Sequence, residues 1–146
     1  MKIEVKIDAA CEETKVVIFT NKVTDEIQNL ARRFSQDAPQ VIVGFLEDEA
    51  VILSQEQMIR VFAEGGKVFA ETESGRYQLR LRLYEAEERL DSKHFVRISN
   101  AEIVNLRMVR GFDLSFAGTI CVRMKNDALT YVSRRYVSKI KQVLGI

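Results

Sequence analysis

The stretch FVRISNAEIVN (Phe95–Asn105) predicts two short strands joined by a polar tip. Its two halves are rich in apolar and β-branched residues, and Ser99–Asn100 between them is a turn-forming pair. Arginine and asparagine can each make two hydrogen bonds in the DNA major groove, to guanine and adenine respectively. Asparagine is also a common turn former, so Asn100 has a structural interpretation beside the DNA-reading one. Asn105 stands within strand character and is expected to make local structural hydrogen bonds.

A second informative stretch, TYVSRRYVSKIKQVLG (Thr130–Gly145), predicts the end of a strand and then a helix. Ser133 is a good N-cap, apolar residues recur at helical spacing, and Gly145 ends the helix. Arg134 and Arg135 fall in the first turn, where the helix dipole disfavours each positive charge by about 0.3–1 kcal/mol. Either they are ordinary exposed arginines, or an anion binds at this helix end. A phosphate there would attract both arginines and the free backbone N–H groups.

The distribution of charge also suggests an anionic partner. The formal net charge of the 146 residues is only +1. Residues 107–146 hold eight lysines and arginines against two aspartates, a net charge of +6, which leaves −5 on residues 1–106. A basic end on an acidic body favours an anionic partner for that end. The alternative interpretation is a solvated basic surface.

The rest of the chain predicts a β-rich α+β fold. The clearest helix is Thr24–Ser35, which has a threonine cap, acidic residues in its first turn and arginines in its last. A short helix is predicted at Leu83–Asp91. The segment Ser35–Gln40 holds the only proline and is the predicted boundary between an N-terminal strand-strand-helix piece (1–38) and a second domain (40–146). Strands are predicted at 2–8, 14–20, 40–48, 50–54, 58–64, 67–73, 76–83, 94–99, 101–110, 114–124 and 128–132.

Motifs of catalysis and metal binding are not found in the sequence. There is no Gly-x-Ser-x-Gly elbow, and EGGK (Glu64–Lys67) lacks the P-loop pattern and predicts a hairpin turn. With one histidine and two cysteines, no zinc site is expected, and Cys11 and Cys121 are expected to be buried, reduced thiols. We therefore expect no catalytic residue, no metal and no cofactor. The apolar runs are too short to span a bilayer and the N-terminus lacks a signal-peptide core, so a cytoplasmic location is expected.

Taken together, FVRISNAEIVNL and the later TYVSRRYVSKIKQVL resemble the LytTR DNA-binding domain. That family has the pattern Phe-x-Arg-[apolar]-[Ser/His]-[Arg/Lys/Asn]-[Ser/Ala]-x-[Ile/Val]-[Val/Ile]-Asn, and later Val-Ser-Arg-x-[Tyr/Asn]. The upstream LRLYEAEERLDSKHF is similar to the family's short helix before the phenylalanine, and the resemblance covers about residues 40–146. It implies a bacterial transcription regulator, built as an elongated stack of small, mainly antiparallel sheets. Its loops are expected to read successive major grooves of double-stranded DNA.

The resemblance also implies which residues touch DNA. The family's base contact after the Phe-x-Arg strand falls on Asn100. The arginine after Val-Ser falls on Arg134 or Arg135, and the spacing of the following apolar residues favours Arg135 for the base and Arg134 for a phosphate. A third contact falls on the GGK turn, where two glycines weaken it and leave Lys67. The implied contacts to phosphate or backbone are Lys67, Arg97, Ser99, Ser133, Arg134 and Lys139.

The N-terminal piece departs from many response-regulator-like relatives. Residues 1–38 are too few for a receiver domain with a phosphorylatable aspartate, so phosphorylation is not the expected switch. The resemblance to stand-alone regulators implies that this piece docks a companion membrane-protein inhibitor or forms a homodimer. No small-molecule substrate is expected. The alternative function is a protein- or RNA-interaction module that uses the basic C-terminal face.

Overall fold

The structure is a computed structural model that describes residues 1–35 and 41–146. The chain divides into two compact units, unit 1 (1–38) and unit 2 (39–146). Pro39, where the sequence predicts a domain boundary, lies outside the described residues. Within the described ranges, no helix is both long enough and apolar enough to cross a membrane.

Unit 1 contains one helix, α1 (Asp25–Ser35), among its described residues. The Thr24 hydroxyl accepts a hydrogen bond from the Ile27 N–H at 3.3 Å, as expected for an N-cap. Acidic residues occupy the first turn and arginines the last, in agreement with the helix dipole. The predicted helix is therefore confirmed, including its cap.

The two strands predicted in unit 1, at 2–8 and 14–20, are wrong. None of the described residues before α1 forms a strand. Ile3, Val5 and Ile7 alternate with polar residues as a strand would, yet they are 81%, 86% and 97% exposed. Alternation of apolar and polar residues predicts which side chains of a strand would face the core, but a strand also needs a hydrogen-bonded neighbour to be stable. Cys11 in this segment is exposed, so the expected burial is wrong for Cys11, whereas Cys121 is a buried free thiol as expected.

Unit 2 contains ten strands and two α-helices in its described part. In chain order they are β1 (Ile42–Leu46), β2 (Glu49–Leu53), β3 (Met58–Glu64), β4 (Lys67–Thr72), β5 (Gly75–Leu79), α2 (Leu83–Arg89), β6 (Phe95–Ser99), β7 (Glu102–Asn105), β8 (Val109–Asp113), β9 (Ile120–Met124), β10 (Leu129–Val132) and α3 (Arg134–Leu144).

The strands form two antiparallel sheets. The larger has seven strands in the order β2-β1-β5-β4-β3-β7-β6, and the smaller has three in the order β10-β9-β8. Each strand pair within them is antiparallel. The predicted β-rich α+β fold with mainly antiparallel sheets is confirmed.

Two buried apolar clusters hold these elements together. Ile103 of β7 belongs to the first cluster, and its neighbour Val104 belongs to the second, because successive side chains of a strand point to opposite faces. The first cluster includes Leu83 and Ala86 of α2. The second includes Ile140 of α3 and the buried residues of β9. The larger sheet thus has α2 on one face, and the smaller sheet and α3 on the other.

The strand predicted at 101–110 is wrong as a single element. It is split into β7, a 3-10 turn at Leu106–Met108, and β8. Asn105, which is fully buried, makes the break. Its side-chain oxygen accepts from the Arg107 N–H at 3.0 Å, and its amide nitrogen donates to the Met58 carbonyl at 2.8 Å. The expected structural role of Asn105 is confirmed.

The strand predicted at 114–124 begins only at Ile120. The Asp113 carboxylate accepts from the hydroxyl and the N–H of Ser115, at 2.6 and 3.0 Å, and this turns the chain at the end of β8. These hydrogen bonds, with the charge of Arg123, hold the pKa of Asp113 below its ordinary value.

Candidate nucleic-acid interface

Two hairpin turns lie side by side at one end of the larger sheet. The β3–β4 turn contains Gly65 and Gly66, and the β6–β7 turn contains Asn100 and Ala101. They are neighbours because β3 pairs with β7, and the Ala63 N–H extends the pairing by donating to the Ala101 carbonyl at 2.8 Å. The structure therefore brings together two loops that the sequence places more than thirty residues apart.

The start of α3 lies against the same β6–β7 hairpin. The Ser133 N–H donates to the Ile98 carbonyl of β6 at 2.9 Å. The Tyr136 hydroxyl donates to Asn100 Oδ1 at 3.1 Å. The two candidate base-reading positions, Asn100 and Arg135, thus stand on elements that contact each other directly.

Asn100 is exposed at the hairpin tip. Its Oδ1 is engaged by Tyr136, whereas its Nδ2 makes no hydrogen bond to any residue that the structure describes. Next to Asn100, the Ser99 hydroxyl oxygen (Oγ) accepts from the Ala101 N–H at 3.2 Å. This leaves the proton of the same hydroxyl free to donate.

The Arg97 side chain is hydrogen-bonded to the backbone of the β6–β7 hairpin tip. Its Nε donates to the Ser99 carbonyl at 2.8 Å and its Nη2 donates to the Asn100 carbonyl at 2.6 Å. Its Nη1 is ion-paired with the Glu87 carboxylate of α2 at 2.6 Å, and the Arg97 side chain is only 15% exposed. Three of the five N–H donors of the guanidinium are therefore committed to this chain. This geometry favours a positioning role over the phosphate contact that the resemblance implies.

The first two turns of α3 carry cations without an internal partner. Arg134, Arg135 and Lys139 are exposed, and none of them is hydrogen-bonded or ion-paired to a described residue. Arg135 and Lys139 are four residues apart and so lie on one helix face. The Arg134 guanidinium lies over Gly118, with its Nε 3.5 Å from the position of a Cβ on that glycine. This contact places the loop before β9 next to the helix start.

Ser133 occupies the N-cap position, but its expected cap bond is wrong. Its backbone is extended, as an N-cap requires, yet its side chain makes no hydrogen bond to the helix. The Tyr136 N–H donates to the Ser133 carbonyl at 2.9 Å, but the N–H groups of Arg134 and Arg135 and the Ser133 hydroxyl have no acceptor among the described residues and can serve an external one. At the other end, Gly145 has φ of 72° and ends the helix as predicted.

The β3–β4 turn presents backbone rather than side chains. Gly65 and Gly66 have φ of 60° and 77°, which is the geometry of a two-residue type I′ hairpin turn. No atom lies within 4 Å of a Cβ on either glycine, so the turn is open on its outer side. Lys67 is exposed at its end, and Glu64 is paired with Arg76 at 2.9 Å.

A partly buried ionic group, made of Arg60, Glu71 and Glu102, connects the two sheets. Glu102 of β7 is 8% exposed; it accepts from Arg60 at 3.0 Å and from the Thr130 hydroxyl of β10 at 2.5 Å. Arg60 also donates to Glu71 of β4. Burial alone lowers the pKa of Arg60, but hydrogen bonds and charges from Glu71 and Glu102 more than offset this and hold it above its ordinary value.

Sequence reasoning missed Tyr136 and Glu102. Tyr136 fits the apolar stripe of α3, so its spacing shows no polar role. The sequence contains a weak indication of the role of Glu102, because a carboxylate at an inward position of a strand usually needs a buried partner.

Comparison with known proteins identifies the family. Residues 48–145 match the family model of the LytTr DNA-binding domain. Two relatives from Staphylococcus aureus, strains MSSA476 and MW2, are each 33% identical over 147 residues and cover 100% of this chain and 99% of their own length. Both are named as uncharacterized HTH-type transcriptional regulators. In the described part of this chain, α1, α2 and α3 are separated by strands, so that part contains no helix-turn-helix motif.

A solved LytTr DNA-binding domain from Bacillus cereus has the same fold. It superimposes with a TM-score of 0.71 over 75% of this chain and 100% of its own length, at 21% sequence identity. The family match across both sequence motifs and the full-length relatives show that this chain belongs to the LytTR DNA-binding domain family.

Proposed function

We propose that this chain is a regulator of transcription that binds double-stranded DNA in a sequence-specific way. The family description and the names of the relatives support DNA binding and regulation. The observation that carries the proposal is geometric. Arg134, Arg135 and Lys139 are unpaired within the described chain and stand on the helix whose start is hydrogen-bonded to the Asn100 hairpin.

The electrostatics of the helix start favour a phosphate. Arg134 and Arg135 are opposed by the dipole of α3 in the free chain. A phosphate at the helix start would interact favourably with the arginines, the first N–H groups and the Ser133 hydroxyl together. DNA supplies such phosphates at regular spacing, and the adjacent hairpin then faces the base edges.

The roles that we assign to these residues are those implied by the family resemblance, except that of Arg97. We assign Arg135 and Asn100 to base edges, and Arg134, Lys139 and Lys67 to phosphates. The Ser99 and Ser133 hydroxyls are assigned to the DNA backbone. We reassign Arg97 to positioning the hairpin, because its donors are used inside the chain.

Selection of duplexes from a random pool by the intact chain tests this proposal. We expect enrichment of one short motif. Alanine at Arg134, Arg135 and Lys139 together should then weaken binding to that motif by more than tenfold. Arg110→Ala is the matched control: Arg110 is 61% exposed and paired with Asp127 at the Met124 end of β9, whereas the start of α3 follows the Ile120 end.

Two outcomes would contradict the proposal. One is that no duplex motif is enriched while an RNA or a protein is bound, which is the behaviour of an interaction module. The other is that Arg110→Ala weakens binding as much as the triple variant. DNA affinity would then depend on positive charge in general and not on the residues at the start of α3.

We also propose that unit 1 is a docking surface, for a second copy of the chain or for a companion membrane protein. Ile3, Val5, Ile7 and Phe19 are each more than 80% exposed. A run of exposed apolar side chains is typical of surfaces that associate.

A further inference from the structure

The side chain of Asn100 is oriented by the helix that carries the arginines. The Tyr136 hydroxyl donates to Asn100 Oδ1 at 3.1 Å. The Tyr136 ring is half-buried and packs against the second apolar cluster, so the hydroxyl has a defined position. The oxygen end of the amide consequently faces the protein. The nitrogen end has no partner among the described residues.

The backbone of the hairpin tip is fixed independently. Arg97 donates to the carbonyls of Ser99 and Asn100, and the Ser99 hydroxyl oxygen accepts from the Ala101 N–H. The Arg97 guanidinium is itself anchored to Glu87 of α2. With the backbone held by Arg97 and the side chain held by Tyr136, the Asn100 amide is pre-organised before any ligand binds. Pre-organised groups lose less entropy on binding and discriminate better between partners.

The exposed end of the amide decides which base edge it suits. An amide nitrogen offers two N–H donors and no acceptor. In the major groove guanine presents two acceptors, N7 and O6, whereas cytosine presents an N–H donor. The usual bidentate contact of asparagine with adenine needs the oxygen end as well, and Tyr136 occupies one acceptor site of that oxygen.

We propose that Tyr136 determines base preference through Asn100. Its hydroxyl turns the amide nitrogen toward the DNA, so that the hairpin reads a base with major-groove acceptors, guanine before adenine. Tyr136 is a positioning residue in this account, because it acts on Asn100 and not on the DNA. The inference rests on the proposed function, since it specifies how one element of the same face reads sequence.

The test compares four variants on duplexes that carry each base in turn at every position of the selected motif. Tyr136→Phe removes the hydroxyl and keeps the packed ring. Tyr84→Phe is the matched control, because Tyr84 is exposed on α2 and has no hydrogen bond to a described residue. Asn100→Ala and the double variant Asn100→Ala/Tyr136→Phe complete the set. Thermal unfolding of each variant reports any structural damage separately.

We expect Asn100→Ala to reduce discrimination at one base pair by about tenfold. Tyr136→Phe should reduce discrimination at that same base pair by about fivefold, the effect of one hydrogen bond. The double variant should be no worse than Asn100→Ala alone, since both substitutions remove one interaction. The position read by Arg135, the salt dependence and the Tyr84→Phe control should be unchanged.

The inference is overturned if Tyr136→Phe discriminates like the parent, loses affinity equally at all positions, or adds its full effect to that of Asn100→Ala. A parent preference for an A·T pair over a G·C pair at the Asn100 position also overturns it. These outcomes differ from failure of the proposed function, in which the parent itself enriches no motif. If the parent has a motif but Asn100→Ala changes no position, both the assigned role of Asn100 and this inference are wrong.

Discussion

Arg134 and Arg135 stand where helix stability alone would not place them. α1 of the same chain has Asp25 and Glu26 in its first turn, as the helix dipole favours. α3 has two arginines there, which the dipole opposes by about 0.3–1 kcal/mol each. Neither arginine has an acidic partner among the described residues, and the proposed function accounts for their position by a phosphate bound at the helix start.

The two arginines should respond differently to substitution. Arg135→Ala should cost about 1–3 kcal/mol of binding free energy and relax the preference at one base pair, since a base contact is lost. Arg134→Ala should weaken all duplexes about equally and lower the salt slope by about one. Affinities for single-base variants of the motif measure both effects. If the two variants give the same uniform loss, neither arginine reads a base.

The same two substitutions, which should weaken DNA binding, should not destabilise the fold. Both side chains are exposed, so each alanine variant should fold. The free energy of unfolding should stay the same or rise slightly, because a charge unfavourable to the helix dipole is removed. Thermal unfolding without DNA measures this, and a clear loss of stability would show that the arginines support the fold.

Asn105 is the residue on which the turn between β7 and β8 depends. Asn105→Ala leaves the buried Met58 carbonyl and the Arg107 N–H without their side-chain partner, and should lower the free energy of unfolding by about 1–3 kcal/mol. Asn126→Ala is the control, because the exposed Ala128 N–H is the single partner of its side chain among the described residues. Urea unfolding of both variants measures the difference. Equal, small effects would contradict the role given to Asn105.

Among the elements, the β6–β7 hairpin depends on Arg97. Arg97→Ala frees two tip carbonyls and leaves Glu87 unpaired, so it should weaken binding to every duplex while leaving the salt slope unchanged. Arg97→Lys should restore little, since lysine lacks the planar fork of donors. Affinity measured across a salt series separates the two roles. A slope lowered by about one would instead support the phosphate contact that the family resemblance implies.

Elements bounded by strong local signals were predictable from the sequence. β3 begins and ends at the predicted residues 58 and 64, because its apolar run lies between polar turns. The end of α3 at Gly145 follows from the left-handed conformation that glycine adopts easily. The β6–β7 hairpin was predicted from two strands around a polar tip, and the structure places Asn100 at that tip.

What the sequence did not show depends on contacts between distant residues. The hydrogen bond from Tyr136 to Asn100 joins residues 36 positions apart, and helical spacing places Tyr136 in the apolar stripe only. The strands predicted in unit 1 failed for the related reason that alternation does not specify a partner strand. The family resemblance implied a role for each site residue, but only the fold shows that the Arg97 guanidinium is hydrogen-bonded to the carbonyls of the hairpin tip.

At the scale of the whole molecule, the two units are expected to have separate tasks. The family match lies within unit 2, and the solved LytTr domain corresponds to 75% of this chain. A truncated protein of residues 40–146 should therefore fold and still bind the selected duplex. It should lose self-association or docking of a companion protein, because the exposed apolar residues of unit 1 are gone.

Analytical ultracentrifugation of the intact and truncated proteins, with and without DNA, tests this division. An identical assembly state and identical partner binding would show that unit 1 has no docking role. A truncated protein that does not fold would show that the boundary lies elsewhere.

The central claim is that the start of α3 and the neighbouring hairpins form a phosphate-binding face on DNA. The most direct measurement is the affinity of the intact chain for its best duplex as a function of salt concentration. Three cations, Lys67, Arg134 and Lys139, are assigned to phosphates. The logarithm of affinity should therefore fall linearly with the logarithm of salt, with a slope of about −2.7, which is about −0.9 for each of the three contacts. A slope near zero would contradict the claim.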